Sequence, residues 1–135
     1  MFNCIDTSGS GLNTYQTWID AIANNIANVN TTEPMTGNAF QAEFIQAQAA
    51  PTGANGVGTG VEVTGIRGSS PKGIVTYDPS DPNADATGYV RRPDMDMSEQ
   101  MGNLIMAQRA YQANASVVDR STSMYESAID IGKGI

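Results

Sequence analysis

The sequence predicts an α+β protein: a heptad helix at each end, forming a coiled-coil-like core, and a small β-hairpin and loop-rich middle. Three observations carry this. Apolar residues recur every three or four positions near both termini. Glycine, proline, serine and aspartate crowd the region between. Within that region two short runs, Val61–Ile66 and Gly73–Tyr77, have the alternation or β-branched content of strands. The expected organisation is an N-terminal helix within residues 1–33, a small middle unit over 34–92 and a long C-terminal helix within 93–135.

The N-terminal stripe is Leu12, Tyr15, Ile19, Ile22, Ile26 and Val29, stepping by three and four. The start of this helix is expected between Ile5 and Leu12, because Ser8-Gly9-Ser10-Gly11 is a poor helix former. Asn24, Asn25, Asn28 and Asn30 follow, and Asn24 and Asn28 share a face. Two readings stand for these amides: they point to water, or they bond neighbouring subunits and set register. Thr31-Thr32-Glu33-Pro34 ends the helix, since proline disfavours helical geometry in the residue before it.

In the middle, Phe40, Phe44 and Ile45 give one short extended piece. Pro51–Gly60 is glycine-rich and reads as a linker; a phosphate-cradling loop would need a following lysine and helix start. Gly68–Gly73 supplies turn chemistry, so Val61–Ile66 and Gly73–Tyr77 are expected to pair as a hairpin. Asp78, Asp81 and Asp85 sit among prolines without the spacing or late glutamate of a calcium loop, so turn initiation is the reading. Arg91 and Arg92 are available to pair with a neighbour's carboxylates.

The C-terminal stripe runs Met97, Met101, Leu104, Tyr111, Ala115, Val118, Tyr125 and Ile129, with Gln108 and Thr122 in the two vacant heptad places. Asp96-Met97-Ser98-Glu99 has the order of an N-cap, and Gly132 and Gly134 mark the stop. Such a helix spans roughly 50 Å at about 1.5 Å per residue. The radius of gyration of a domain this size is only about 15 Å. The N-terminal helix is shorter, so part of the long stripe must be covered by other subunits. Met106 falls off the stripe and is the expected inter-subunit contact.

Composition excludes several classes. The chain has 135 residues, a net charge of −7 and seven scattered basic residues, which argues against nucleic-acid binding and polybasic membrane attachment. No apolar run approaches a membrane span, and the N-terminus lacks the pattern of a cleaved signal peptide. There is no histidine, which removes the commonest general base and metal ligand. The single cysteine, Cys4, is expected as a small buried apolar group. No cofactor, metal or catalytic residue is expected. An enzyme reading would require paired carboxylates, and Glu43, Glu62, Asp78 and Asp81 show no spacing that singles out a pair. An export chaperone would be mostly helical, which the turn-rich middle opposes.

Three segments, in order, resemble the rod and hook axial proteins of the bacterial flagellar basal body. They are the asparagine-rich stretch Ile22–Thr32, the tract Tyr77–Val90, and Pro93–Gly132 with Met106–Asn114 inside it. The middle tract is similar to that of one member, a proximal-rod subunit. Pro34, Gly37 and Phe40 keep the family's turn and aromatic, while Gln41, Ala42 and Glu43 stand where basic residues are common. The resemblance implies a structural subunit of the proximal rod. It implies a hollow helical drive shaft built with other rod proteins and further copies of itself, transmitting torque from motor to hook and filament. It also implies export by the flagellar type III apparatus without a cleaved signal, and a place in the rod as it crosses the periplasm. Another rod or hook subunit, or a rod-associated peptidoglycan hydrolase, are the alternatives. The expected assembly interface is Leu12, Tyr15, Ile19, Ile22, Asn24, Asn25, Ile26, Asn28 and Val29 on the first helix. On the second it is Met97, Met101, Leu104, Met106, Tyr111, Asn114, Val118, Tyr125 and Ile129.

Overall fold

A computed structural model describes residues 2–52, 56 and 58–133. Of the expected linker, Gly53, Ala54, Asn55 and Val57 lie outside the described residues, as does Gly134. The order is α1 (Phe2–Asn28), β1 (Glu43–Ala49), β2 (Val61–Gly68), β3 (Ile74–Tyr77), β4 (Tyr89–Arg92) and α2 (Met97–Lys133). The α+β class is the one the sequence predicts.

The two helices run antiparallel in one register. Asn25 meets Gln100, Gly11 meets Asn114 and Cys4 meets Ser121. Moving down α1 by fourteen and then seven residues moves up α2 by the same amounts, as an antiparallel pair requires. This explains why α1 starts earlier than expected. Ser8 and Gly11 are buried, and a Cβ on Gly11 would stand only 3.1 Å from the Asn114 amide oxygen. The Ser10 hydroxyl donates to Thr7 O at 2.7 Å and accepts the Val61 N–H at 3.0 Å. The small residues that weaken a lone helix let α2 and β2 come close, so tertiary contacts override local propensity. Cys4 is exposed rather than buried, its sulfur 3.5 Å from Ser121 Oγ at the margin of the pair.

The stripes that face the partner helix lie one residue away from half of the predicted heptad places. Gln100, Ala107 and Ser121 are the buried residues of α2, flanked by half-buried Leu104, Tyr111, Asn114 and Val118. Met97 and Met101 are exposed. At that level of the pair the inward place is taken by Gln100, bonded to the buried Asn25, and the two methionines lie outside it.

The β region differs from the expected hairpin. Val61–Gly68 pairs back onto Glu43–Ala49, with a bulge between Gln46 and Ala47, while Ile74–Tyr77 pairs with Tyr89–Arg92. The two strands expected to pair lie in separate two-stranded sheets. The Gly68–Gly73 segment does not turn back because residues 39–42 hold it. Ser69 N donates to Ala42 O, Ala42 N to Ser69 Oγ and Ala39 N to Pro71 O, each at 2.9 Å. The chain therefore crosses between sheets at this point. The Asp-Pro tract closes the β3–β4 hairpin: the Asp78 and Asp85 carboxylates accept hydroxyl and backbone donors within the turn. Asn83 Nδ2 donates to Thr32 O and Oγ1, both at 3.1 Å, and ties this hairpin to the end of α1. Arg91 is committed inside the chain, to Met35 O and Lys72 O, and Arg92 to Asp78 at 3.5 Å, so neither is held ready for a neighbour.

The core is thin. Among the described residues its buried apolar members are Ala21, Ile22, Ala39, Ala42, Val90 and Ala107, of which only Ile22 and Val90 are large. At the junction of α1, β1 and α2 sits Asn25, 1 % exposed. Its Nδ2 donates to Glu43 O at 2.9 Å and to Gln100 Oε1 at 3.1 Å, and its Oδ1 accepts the Glu43 N–H at 2.7 Å.

Asp96 caps α2 as the sequence predicts, accepting the Ser98 N–H at 2.6 Å and the Glu99 N–H at 3.3 Å. Those bonds, that from Ser98 first, hold its carboxyl below the usual range. The hydroxyl of Ser80 does the same for Asp78, and that of Thr87 for Asp85. A folded-state value below the unfolded one stabilises above the ordinary carboxylate range and is lost as pH falls through the lowered value. Thermal melts are therefore expected to show a midpoint falling as pH drops from about 5 to about 2. Asp96→Ala lowers the midpoint at neutral pH and flattens that slope; an unchanged slope would assign the acid sensitivity elsewhere.

Candidate assembly surface

The surface begins with the length mismatch between the helices. With Cys4 level with Ser121, the described start of α1 at Phe2 is level with about Ser123. Met124–Lys133 runs on past it by roughly 15 Å. Every described residue from Thr122 onward is exposed, including Met124 at 62 % and Ile131 at 71 %. Upstream, Met101, Ile105, Met106 and Val117 are also exposed. Met106, Ala113, Val117, Met124 and Ile131 return at helical spacing to one side of α2, away from the α1 seam. So α2 turns its small and polar residues inward and many of its large apolar ones outward.

The expected interface residues fall into three groups. Ile22 and Asn25 are buried inside the protomer. Leu12, Tyr15, Ile19, Ile26, Asn28, Val29, Leu104, Tyr111, Asn114 and Val118 are half-buried beside the helix pair or the sheet. Asn24, Met97, Met101, Met106, Tyr125 and Ile129 are exposed. Asn24 and Asn28 engage each other, Asn28 Nδ2 donating to Asn24 O at 2.8 Å and to its Oδ1 at 3.0 Å.

Ile105, Met124 and Ile131 were outside the sequence-derived set because they lie off the heptad stripe. Their signal is present all the same, as large apolar residues of a helix that are exposed among the described residues. A second missed feature is a groove of about 540 Å3 where α1, the β1–β2 sheet and the start of α2 meet. Tyr15 and Trp18 line it from α1, their rings 6.1 Å apart, with Phe44 and Ile45 from β1, Val61 from β2 and Glu99 from α2. These residues are too far apart in sequence for any periodicity to connect them.

Three of the four carboxylates that an enzyme reading would draw on are engaged locally. Glu62 is bonded to Gln48, Asp81 to the Asn83 N–H, and Asp78 to Ser80 and Arg92. Among the described residues no cluster of histidine, cysteine, aspartate and glutamate is arranged to hold a metal ion. No described helix is long and apolar enough to cross a membrane. What the arrangement offers is apolar area along a rigid helix, suited to burial against other proteins.

Comparison with known proteins accords with that chemistry. Residues 5–34 match the family described as flagella basal body rod protein, and residues 86–131 match the C-terminal region of flagellar basal body rod FlgEFG protein. These are α1, and β4 with most of α2. The chain is 33 % identical over 150 residues to the flagellar basal-body rod protein FlgC of Borreliella burgdorferi, covering 99 % of both chains. It is 33 % identical to that of Salmonella typhimurium and 28 % identical to that of Bacillus subtilis, covering 98 % of both chains in each case. With both helices matched to rod families and relatives aligned over their full length, the chain belongs to the FlgC family of flagellar basal-body rod proteins, structural components of that rod.

Proposed function

We propose that this chain is a structural subunit of the proximal rod, assembling with other rod proteins and with further copies of itself into the hollow helical shaft that carries torque from motor to hook and filament. The observation behind this is the outward apolar side of α2, continued by an end that runs past the described start of α1. Long helices near a shaft axis overlap several neighbours. Each contact removes apolar area from water at about 25 cal/mol per Å2, so torsional load is shared among many contacts. A heterologous interface that does not close generates a helix of subunits. In this reading the helix pair, residues 1–33 and 93–135, forms the axial core, and residues 34–92 form a small outer unit. The exposed and half-buried stripe residues named above are the assembly interface, with coiled-coil-like contacts completed between subunits; Ile22 and Asn25 serve inside the protomer instead. The chain works without catalysis or a cofactor, and it reaches the rod through the flagellar type III export apparatus without a cleaved signal.

Deleting the gene and imaging isolated basal bodies tests the reading. Membrane rings without a completed rod, and no hook, are expected; complete rods with normal swimming would refute it. Met106, 57 % exposed, gives a finer test. Met106→Asp is expected to leave a soluble subunit of unchanged circular dichroism and to abolish swimming in soft agar. Normal motility of that variant would remove Met106 from the interface.

A further inference from the structure

We propose that the groove between α1, the β1–β2 sheet and the start of α2 receives the overhanging end of α2 from a second copy of this chain. The proposal rests on the rod-subunit reading and adds a site to it. The groove has an aromatic and aliphatic wall and one carboxylate, Glu99, among its lining residues. Its volume of about 540 Å3 is in the range that accepts several side chains. The C-terminal part of α2, from Arg120 at the edge of the helix pair into the overhang, carries the complementary set. Arg120, Met124 and Ile131 stand at one-turn and two-turn intervals on one side of the helix, placing one cation ahead of two large apolar groups. Neither Glu99 nor Arg120 forms an ion pair among the described residues. Met124 and Ile131 are the most exposed large apolar residues of α2.

The occupant cannot be the same molecule's own helix end. Glu99 and Arg120 belong to one continuous helix, and 21 residues at about 1.5 Å each hold them roughly 30 Å apart. A contact between one end of a protomer and the side of the next is heterologous, so it repeats rather than closes. Trp18, the single tryptophan of the chain, lines the groove and reports its filling.

The probe is a synthetic peptide of residues 118–133 added to the full-length protein, read by Trp18 fluorescence, with sedimentation velocity of the protein alone. Saturable blue-shifted emission is expected. Met124→Asp or Ile131→Asp in the peptide should weaken binding about tenfold or more, as loss of a buried anchor does. Glu99→Arg in the protein should weaken binding of the native peptide, and a peptide with Arg120→Glu should restore it. Ala47→Arg, which places a bulky cation on the groove wall, should stop association of the protein. Mixing Ala47→Arg protein with Met124→Asp protein should give dimers and nothing larger, because one intact groove and one intact end remain. A silent tryptophan, or no rescue by the reversed charges, overturns the proposal. If the peptide is silent but Ala47→Arg cells still lack rods, the groove takes a different subunit; the second-copy assignment then fails while the rod reading stands.

Discussion

Asn25→Leu is expected to lower the urea midpoint more than any other single substitution on α1. Leucine keeps the volume but removes every bond the amide makes. The N–H and C=O of Glu43 and the buried side chain of Gln100 each lose a partner. Leaving a buried polar group unsatisfied costs about 1–3 kcal/mol, so a loss of roughly 3–5 kcal/mol follows for the junction as a whole. That is a large share of the stability of a domain of this size. The damage is directional, because Asn25 joins three elements: β1 should detach from the helix pair, and amide exchange of Glu43–Gln46 should rise with the fall in midpoint. Asn25→Asp is the informative companion. It can still accept the Glu43 N–H, but an ionised carboxylate cannot donate to Glu43 O or Gln100 Oε1. It should therefore destabilise at neutral pH and recover part of the loss on acidification, when a protonated carboxyl can donate. A loss below about 1 kcal/mol for the leucine variant would mean that water or a rearranged Gln100 replaces the amide.

The second large effect belongs to Gly73. Its φ is +55°, a region that β-branched residues avoid, and it stands where the chain crosses from one sheet to the other. A Cβ there would collide with the carbonyl oxygen of Arg92 and come within 2.6 Å of the Ala39 methyl group. Neither obstacle is a flexible side-chain end. Gly73→Val should cost about 3 kcal/mol or more and release β3 from β4, which differential scanning calorimetry and loss of strand amide protection would register. Gly9 and Gly102 provide the opposite sign. Both lie inside helices with nothing near a built Cβ, so Gly9→Ala and Gly102→Ala should each stabilise by about 0.5–1 kcal/mol. If Gly73→Val were as mild as these, the crossing between the sheets would have to be looser than the Arg92 and Ala39 contacts indicate.

The asparagine-rich stretch shows how a sequence feature can be seen and its role divided only by the fold. Four asparagines near the end of a helix are conspicuous, since they are poor helix formers. Periodicity puts Asn24 and Asn28 on one face, and the structure leaves that face near solvent with the two amides bonded to each other. Asn25, one residue along, turns inward to the backbone of β1. Its partner Glu43 is distant in sequence and belongs to a different kind of element, so no local rule points to it. The strand pairing is a parallel case. Val61–Ile66 and Gly73–Tyr77 are legible as strands from their residue types, and strands form at Val61–Gly68 and Ile74–Tyr77. Their pairing is not legible, because the deciding bonds run from residues 39–42 to residues 69–71 rather than within the turn.

By itself the sequence determined that a long helix starts at the Asp96 cap and continues without proline to the end of the described chain, and that a second helix lies at the other terminus. It also determined that the middle is short strands and Asp-Pro turns, and, by resemblance, that the whole is a rod component. These are local properties, set by capping, periodicity and turn chemistry within a few residues. Only the tertiary structure decided which side of each helix faces the other. Apolar periodicity points to the heaviest stripe, but two helices approach along the line where backbones can come closest. Here that line passes through Gly11 and Asn114, Cys4 and Ser121, and Asn25 and Gln100. Small and amide side chains line much of that seam, and Met101, Met106, Met124 and Ile131 are left exposed, apolar area of the kind that suits burial against other proteins.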